Sequence, residues 1–149
     1  MIWFTMSKEK LRFNISLRST HWDKKPEFVV TLNDTAITQG VCDGTEECSF
    51  YHELSEGNHE LQIQLVNKED SDCVQNEDKT KILKDMQLHI DRISIDNINL
   101  EHIKHTCSTF VPADPKQHET LSECVDLGWN GTYILKFTSP FYIWLLENM

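Results

Sequence analysis

The stretch LRFNISL, residues 11–17, sets Leu11, Phe13, Ile15 and Leu17 at every second position and Arg12, Asn14 and Ser16 between them. Successive side chains of an extended strand point to opposite faces, whereas a helix repeats its apolar face every three to four residues. The alternation therefore predicts a strand with one buried face. It recurs at Phe28, Val30 and Leu32, at Cys48, Phe50, His52 and Leu54, at Leu61, Ile63 and Leu65, and at Tyr133, Leu135 and Phe137. Turn formers separate these runs, among them Asn33-Asp34 and Ser55-Glu56-Gly57-Asn58. Short strands punctuated in this way predict an all-β chain whose mainly antiparallel strands form two facing sheets.

In MQLHIDRISIDNINL the apolar phase is even at Met86, Leu88 and Ile90, odd at Ile93 and Ile95, and even again at Ile98 and Leu100. Each change of phase flips the strand's faces, so it predicts a bulge near Asp91 and a tight turn at Asp96-Asn97. The last strand, TYILKFT, runs into Ser139-Pro140. Serine at a cap position and proline at the first helical position predict a short helix over PFYIWLLEN and no other helix. Ten helical residues reach about 15 Å, half of the roughly 30 Å hydrocarbon core of a bilayer, so membrane insertion is not expected. Phe141, Ile143, Trp144, Leu145 and Leu146 nearly encircle this helix, which either closes the core or plugs into a partner. The two-residue Ser-Pro link favours core closure.

A chain of 149 residues fits one domain, expected over residues 11–149 with residues 1–10 as an N-terminal extension. Met6 is an alternative start. No basic region precedes the short apolar run at the N-terminus, so no secretion signal is expected. Acidic residues outnumber basic ones 24 to 14, which argues against nucleic acid as a partner. The five cysteines, an odd set, suit reduced thiols.

Four groups of residues bear on function. The polar stretch 67–81 is long for a connection within a domain, and with Asp85 it carries several carboxylates. Read one way it is solvated surface. Read the other way it holds calcium, a hard cation that takes oxygen ligands, through Glu69, Asp70, Asp72 and Asp85. His102, His105, Cys107 and Cys124 suffice in number for tetrahedral zinc but match no standard spacing. His52, Glu53, Glu56 and His59 invite comparison with cupin oxygenases, yet the close histidine pair of that family is absent. No nucleophile motif or phosphate loop appears, so the chain is not expected to be an enzyme. Trp22 and Trp129 lie beside turn residues, where each ring either stacks on a ligand such as a sugar or caps the sandwich core.

Taken in order, LSEGNHELQIQLVNKEDSD, KDMQLHIDRISIDNINL and LGWNGTYILKFTSPFYIWLLENM resemble small β-sandwich proteins of T4-like tailed bacteriophages of marine bacteria and cyanobacteria. The likeness runs over residues 26–149. A second likeness, carried by Leu88, Ile90, Asp91, Ile93, Ile95 and Asp96, is to calcium-dependent xylan-binding modules. Lys68 stands where those modules have Asp, and Met86-Gln87 replaces their Arg-Asn. Together the resemblances imply a jelly-roll-like antiparallel β-sandwich with a short C-terminal helix, acting as a noncatalytic, carbohydrate-binding-like module. Its partner would be a phage structural protein or a surface glycan, on the virion. The alternative is a phage protein in the host cytoplasm that binds and redirects a host factor.

Overall fold

The alternating segments form strands where the pattern predicts them. The structure, a computed structural model, describes residues 8–149. The N-terminal half comprises β1 (Glu9–Thr20), β2 (Glu27–Leu32), β3 (Thr35–Val41), β4 (Thr45–Leu54) and β5 (Gly57–Leu65). A short hairpin of β6 (Val74–Gln75) and β7 (Ile82–Lys84) precedes β8 (Gln87–Ile95) and β9 (Ile98–Asn99). Then follow α1 (Ile103–Thr106), β10 (Ser108–Pro112), β11 (Leu121–Ser122), β12 (Asp126–Leu127), β13 (Gly131–Ser139) and α2 (Phe141–Asn148).

Apart from the β6–β7 hairpin, a separate two-stranded sheet, the strands pair antiparallel into two main sheets. One runs β12-β8-β1-β4, with β9 attached to β8, and the other runs β11-β10-β13-β5-β2-β3. This is the jelly-roll-like antiparallel β-sandwich. Leu11, Phe13, Ile15 and Leu17 of β1 are all buried, and so are Tyr133, Leu135 and Phe137 of β13. Phe13 stacks on Phe50 of the neighbouring strand at 4.9 Å and meets Phe137 of the opposite sheet at 6.1 Å. The core is the space between those faces.

The local irregularities fall where the phase changes require them. On β1, Ser16 faces Arg92 and Leu17 faces Ile90, which leaves Asp91 as the extra residue of a bulge. The Asp91 carboxylate accepts a bond from Arg18 at 3.0 Å. Asp96 and Asn97 have φ of 51° and 65°, and Asn33 and Asp34 have 52° and 66°. Two consecutive left-handed residues make the tight hairpin turn that suits the twist of a strand pair. At Gly131, β13 passes so close to β10 that a Cβ would lie 2.5 Å from the Val111 carbonyl oxygen. Only glycine fits there.

Three expectations need correction. Strand β1 begins at Glu9, so Glu9 and Lys10 belong to the sandwich; residues 1–7 and the alternative start at Met6 lie outside the described residues. Helical structure is not confined to the C-terminus: α1 forms over Ile103–Thr106, and a 3-10 turn over Asp70–Asp72. Ile103 explains α1, because one turn lets its side chain reach the core. Ser139, finally, is the last residue of β13 and does not cap α2. Its hydroxyl donates to Glu9, and the same Glu9 oxygen accepts the Phe141 N–H at 2.7 Å. A carboxylate at a helix start satisfies an otherwise orphaned donor and complements the helix dipole, so the first strand caps the last helix.

The inner face of α2 is buried through Phe141, Trp144 and Leu145, with Trp144 edge-on to Phe137 at 6.0 Å. Tyr142, Ile143 and Leu146 face outward and are exposed. Among the described residues no helix is long and apolar enough to cross a membrane. Replacing the fully buried Phe141 by alanine is expected to cost about 3–5 kcal/mol. Urea unfolding of F141A should show that loss, whereas L146A, on the open face, should unfold with the wild type.

Candidate functional site

The polar segment after β5 leaves the sandwich under tight control. Asn67 accepts the Glu27 N–H at 2.8 Å and donates to the Lys25 carbonyl at 2.9 Å. Asn130 does the same for Lys68, accepting its N–H at 2.8 Å and donating to its carbonyl at 2.9 Å. Each asparagine imitates a strand neighbour, so residues 67–68 are held between the start of β2 and the turn before β13. The stretch that reads as a loose loop is anchored at its root.

Beyond that root, Glu69 and Asp72 bracket the 3-10 turn. The Asp72 carboxylate, almost wholly buried, accepts the Glu69 N–H at 2.7 Å and pairs with Lys24 at 3.0 Å. Lys24 also reaches Glu69 at 3.0 Å. Burial disfavours the charged form of Asp72, but the Glu69 N–H and the Lys24 ammonium outweigh it and hold the carboxyl below its ordinary range. On the other flank Lys68 Nζ lies 2.6 Å from Asp85 Oδ1 and 2.5 Å from the Gly128 carbonyl oxygen.

These elements line a cleft of about 550 Å³ whose walls include Lys68, Asp70, Asp85, Gln87, His118 and Trp129. Trp129 is half-buried, tilted against core residue Phe110 at 5.9 Å and stacked on His118 at 4.1 Å. Its indole Nε1 is buried with no hydrogen-bond partner, the one such side-chain atom among the described residues. A buried donor left unpaired is costly. Trp22 sits against the same segment without lining the cleft. Its Nε1 donates to the Asp72 carbonyl at 2.9 Å, and Lys84 lies over its ring at 4.9 Å. Sequence reasoning named both tryptophans, the acidic segment and Lys68 as a departure from the calcium-dependent modules, while Lys24 and His118 escaped it. Nothing in the local sequence pairs them with residues so distant in the chain.

The other candidates do not assemble. His52 lies on β4 and His59 on β5, strands of different sheets. His59 is buried with both ring nitrogens engaged, one by Asn33 at 2.8 Å and one by the Ser55 carbonyl at 2.7 Å. It borders a second cleft of about 720 Å³ with Asn33, Lys136 and Trp144, which gathers no unpaired group. Cys107 turns to Asn148 at 3.6 Å and Cys124 to the Asp126 carbonyl at 3.3 Å. A chain of bonds links Thr20, His89 and Asp126, 2.7 Å at each step. The three sit on adjacent strands of one sheet and line neither cleft, so this chain ties β1, β8 and β12 together.

No protein-family model matches the chain, and no curated protein matches it. Two solved structures match its fold. One is vCBM60 in complex with galactobiose, 8% identical, with a TM-score of 0.54 over 83% of this chain and 96% of that one. The other is a selenomethionine form of vCBM60, 9% identical, with a TM-score of 0.54 over 84% of this chain and 89% of that one. It belongs to work on circular permutation as a link between two families of calcium-dependent carbohydrate-binding modules. At these identities the likeness is one of fold.

Calcium needs six to eight oxygens at about 2.3–2.6 Å. Of the residues expected to supply them, Asp72 and Glu69 face Lys24 and Asp85 faces Lys68. Among the described residues no three His, Cys, Asp or Glu side chains gather closely enough to hold a metal.

The depressed Asp72 carboxyl gives a pH signature. A carboxyl whose folded-state pKa is lowered contributes stability above the unfolded pKa, near 4, and loses it as pH falls through the folded value. D72N should therefore melt below the wild type at neutral pH, and the gap should close as pH drops below about 4. Paired thermal melts across that range measure it.

Proposed function

We propose that the protein is a noncatalytic carbohydrate-binding-like module whose ligand enters the cleft beside Trp129. The observation that carries this reading is the Trp129 ring, stacked on His118, in the wall of a cleft lined by polar side chains. A sugar needs a flat apolar surface for its C–H face and a few fixed polar groups for its hydroxyls. The stacked Trp129 and His118 rings supply the surface, and Gln87 and Asp70 supply polar groups around it. The fold shared with vCBM60, solved with galactobiose, supports a glycan as the class of ligand.

We propose that such a module sits on the virion or its tail, as the resemblance to phage sandwich proteins implies. One observation favours the alternative, a protein partner within the host: the outward face of α2, where Tyr142, Ile143 and Leu146 are exposed together. Mass spectrometry of purified particles separates the two, since absence of this chain from virions would remove the first.

Isothermal titration of the wild type with galactobiose, followed by a panel of plant and bacterial oligosaccharides, should find a ligand. W129A should bind it at least roughly tenfold more weakly, a loss of about 1.4 kcal/mol. An L146A control should bind as the wild type does. Failure of every oligosaccharide, or W129A binding unchanged, would overturn the reading.

A further inference from the structure

We propose that Lys68 is the resident cation of this site: its ammonium does the structural work a calcium ion would do, and the protein keeps its cleft in shape without metal. The Lys68 and Asp85 side chains are only 11% and 14% exposed, so the pair is largely withdrawn from water. An ammonium in such a place needs oxygens around it. It has a carboxylate oxygen of Asp85 at 2.6 Å and the Gly128 carbonyl oxygen at 2.5 Å. Carboxylate and carbonyl oxygens are the donors that hard cations also take.

The surroundings are built to keep the ammonium there. Asn130 fixes the Lys68 backbone on both its N–H and its carbonyl. The carboxylate is aimed from its own side, Oδ1 by the Met86 N–H at 2.8 Å and Oδ2 by Gln87 Nε2 at 3.1 Å. Lys68, Asp85 and Gly128 bring three separate segments together at one Nζ, and Asn130 holds the backbone beneath it. Lys24 performs the matching task on the other flank by bridging Glu69 and Asp72. A divalent ion would have to expel an ammonium from each place. The inference holds whether or not the cleft takes a glycan.

The test uses the full chain. Thermal melts of the wild type with millimolar calcium or with a chelator should superimpose, and calorimetric titration of calcium into the wild type should give no binding heat. K68M, which keeps the bulk of the stem and strands the Asp85 charge, should melt roughly 5–15 °C lower and should not be restored by calcium. A wild-type melting temperature that rises with calcium or falls with chelator, a calcium binding heat, or a K68M melt equal to the wild type would each overturn it. The wild-type measurements need no folded variant. They also read the cation without a sugar present, so their failure is distinct from failure to bind glycan.

Discussion

The contact between the inward faces of β1 and β13 is what the rest of the molecule depends on. Each strand lies inside its sheet, β1 between β4 and β8 and β13 between β10 and β5. Phe13 and Phe137 meet across the gap. Because side chains alternate, fixing these inward residues fixes which residues of each neighbouring strand face water. It also fixes where every connection leaves the sandwich. The Asp91 bulge preserves this arrangement: without one extra residue, either Leu88 and Ile90 or Ile93 and Ile95 would turn away from the core. Glu9 at one end of β1 and α2 at the end of β13 are joined by the same logic, which brings the described ends of the chain together.

Charge then decides how the open end of the sandwich is finished. A chain with 24 acidic and 14 basic residues carries a surplus of negative charge, and its segment after β5 concentrates that surplus. Two of its cations meet it, the largely buried Lys68 on Asp85 and the partly exposed Lys24 across Glu69 and Asp72. Breaking a largely buried pair leaves a stranded charge, which costs far more than the pair contributes over an apolar replacement. The ammoniums therefore act chiefly as specifiers of one loop conformation. Asn67 and Asn130 support them by satisfying backbone groups that a loop would otherwise leave to water.

A fold held in common at 8–9% identity carries an architecture and not a ligand. What this chain adds is its own furnishing of one end: a stacked Trp129 and His118 pair, an indole donor without a partner, and a cleft walled by polar side chains. The second, larger cleft has a buried histidine whose bonds are complete, so its chemistry is already spent on the fold. Both clefts carry aromatic rings, but Trp129 stacks face to face on His118 in one, whereas Trp144 meets Phe137 edge-on in the other.

The sequence by itself determined the long alternating strands and their faces, the bulge near Asp91, the turns at Asn33-Asp34 and Asp96-Asn97, and the C-terminal helix; the short strands β6, β7, β10, β11 and β12 lie in stretches without that alternation. What it determined follows from local periodicity and from the few residues that accept a left-handed turn. Tertiary structure alone decided that Glu9 caps α2, that Ile103 nucleates a helical turn, and that Lys24 and Lys68 claim the carboxylates that read as calcium ligands. Lys68 and Gly128 are sixty residues apart, as are Lys68 and Asn130 to within two. A lysine carries no local mark of the oxygens it will meet, because its long flexible side chain selects partners only after the strands have placed them. Periodicity is written along the chain; the pairing of charges is settled across it.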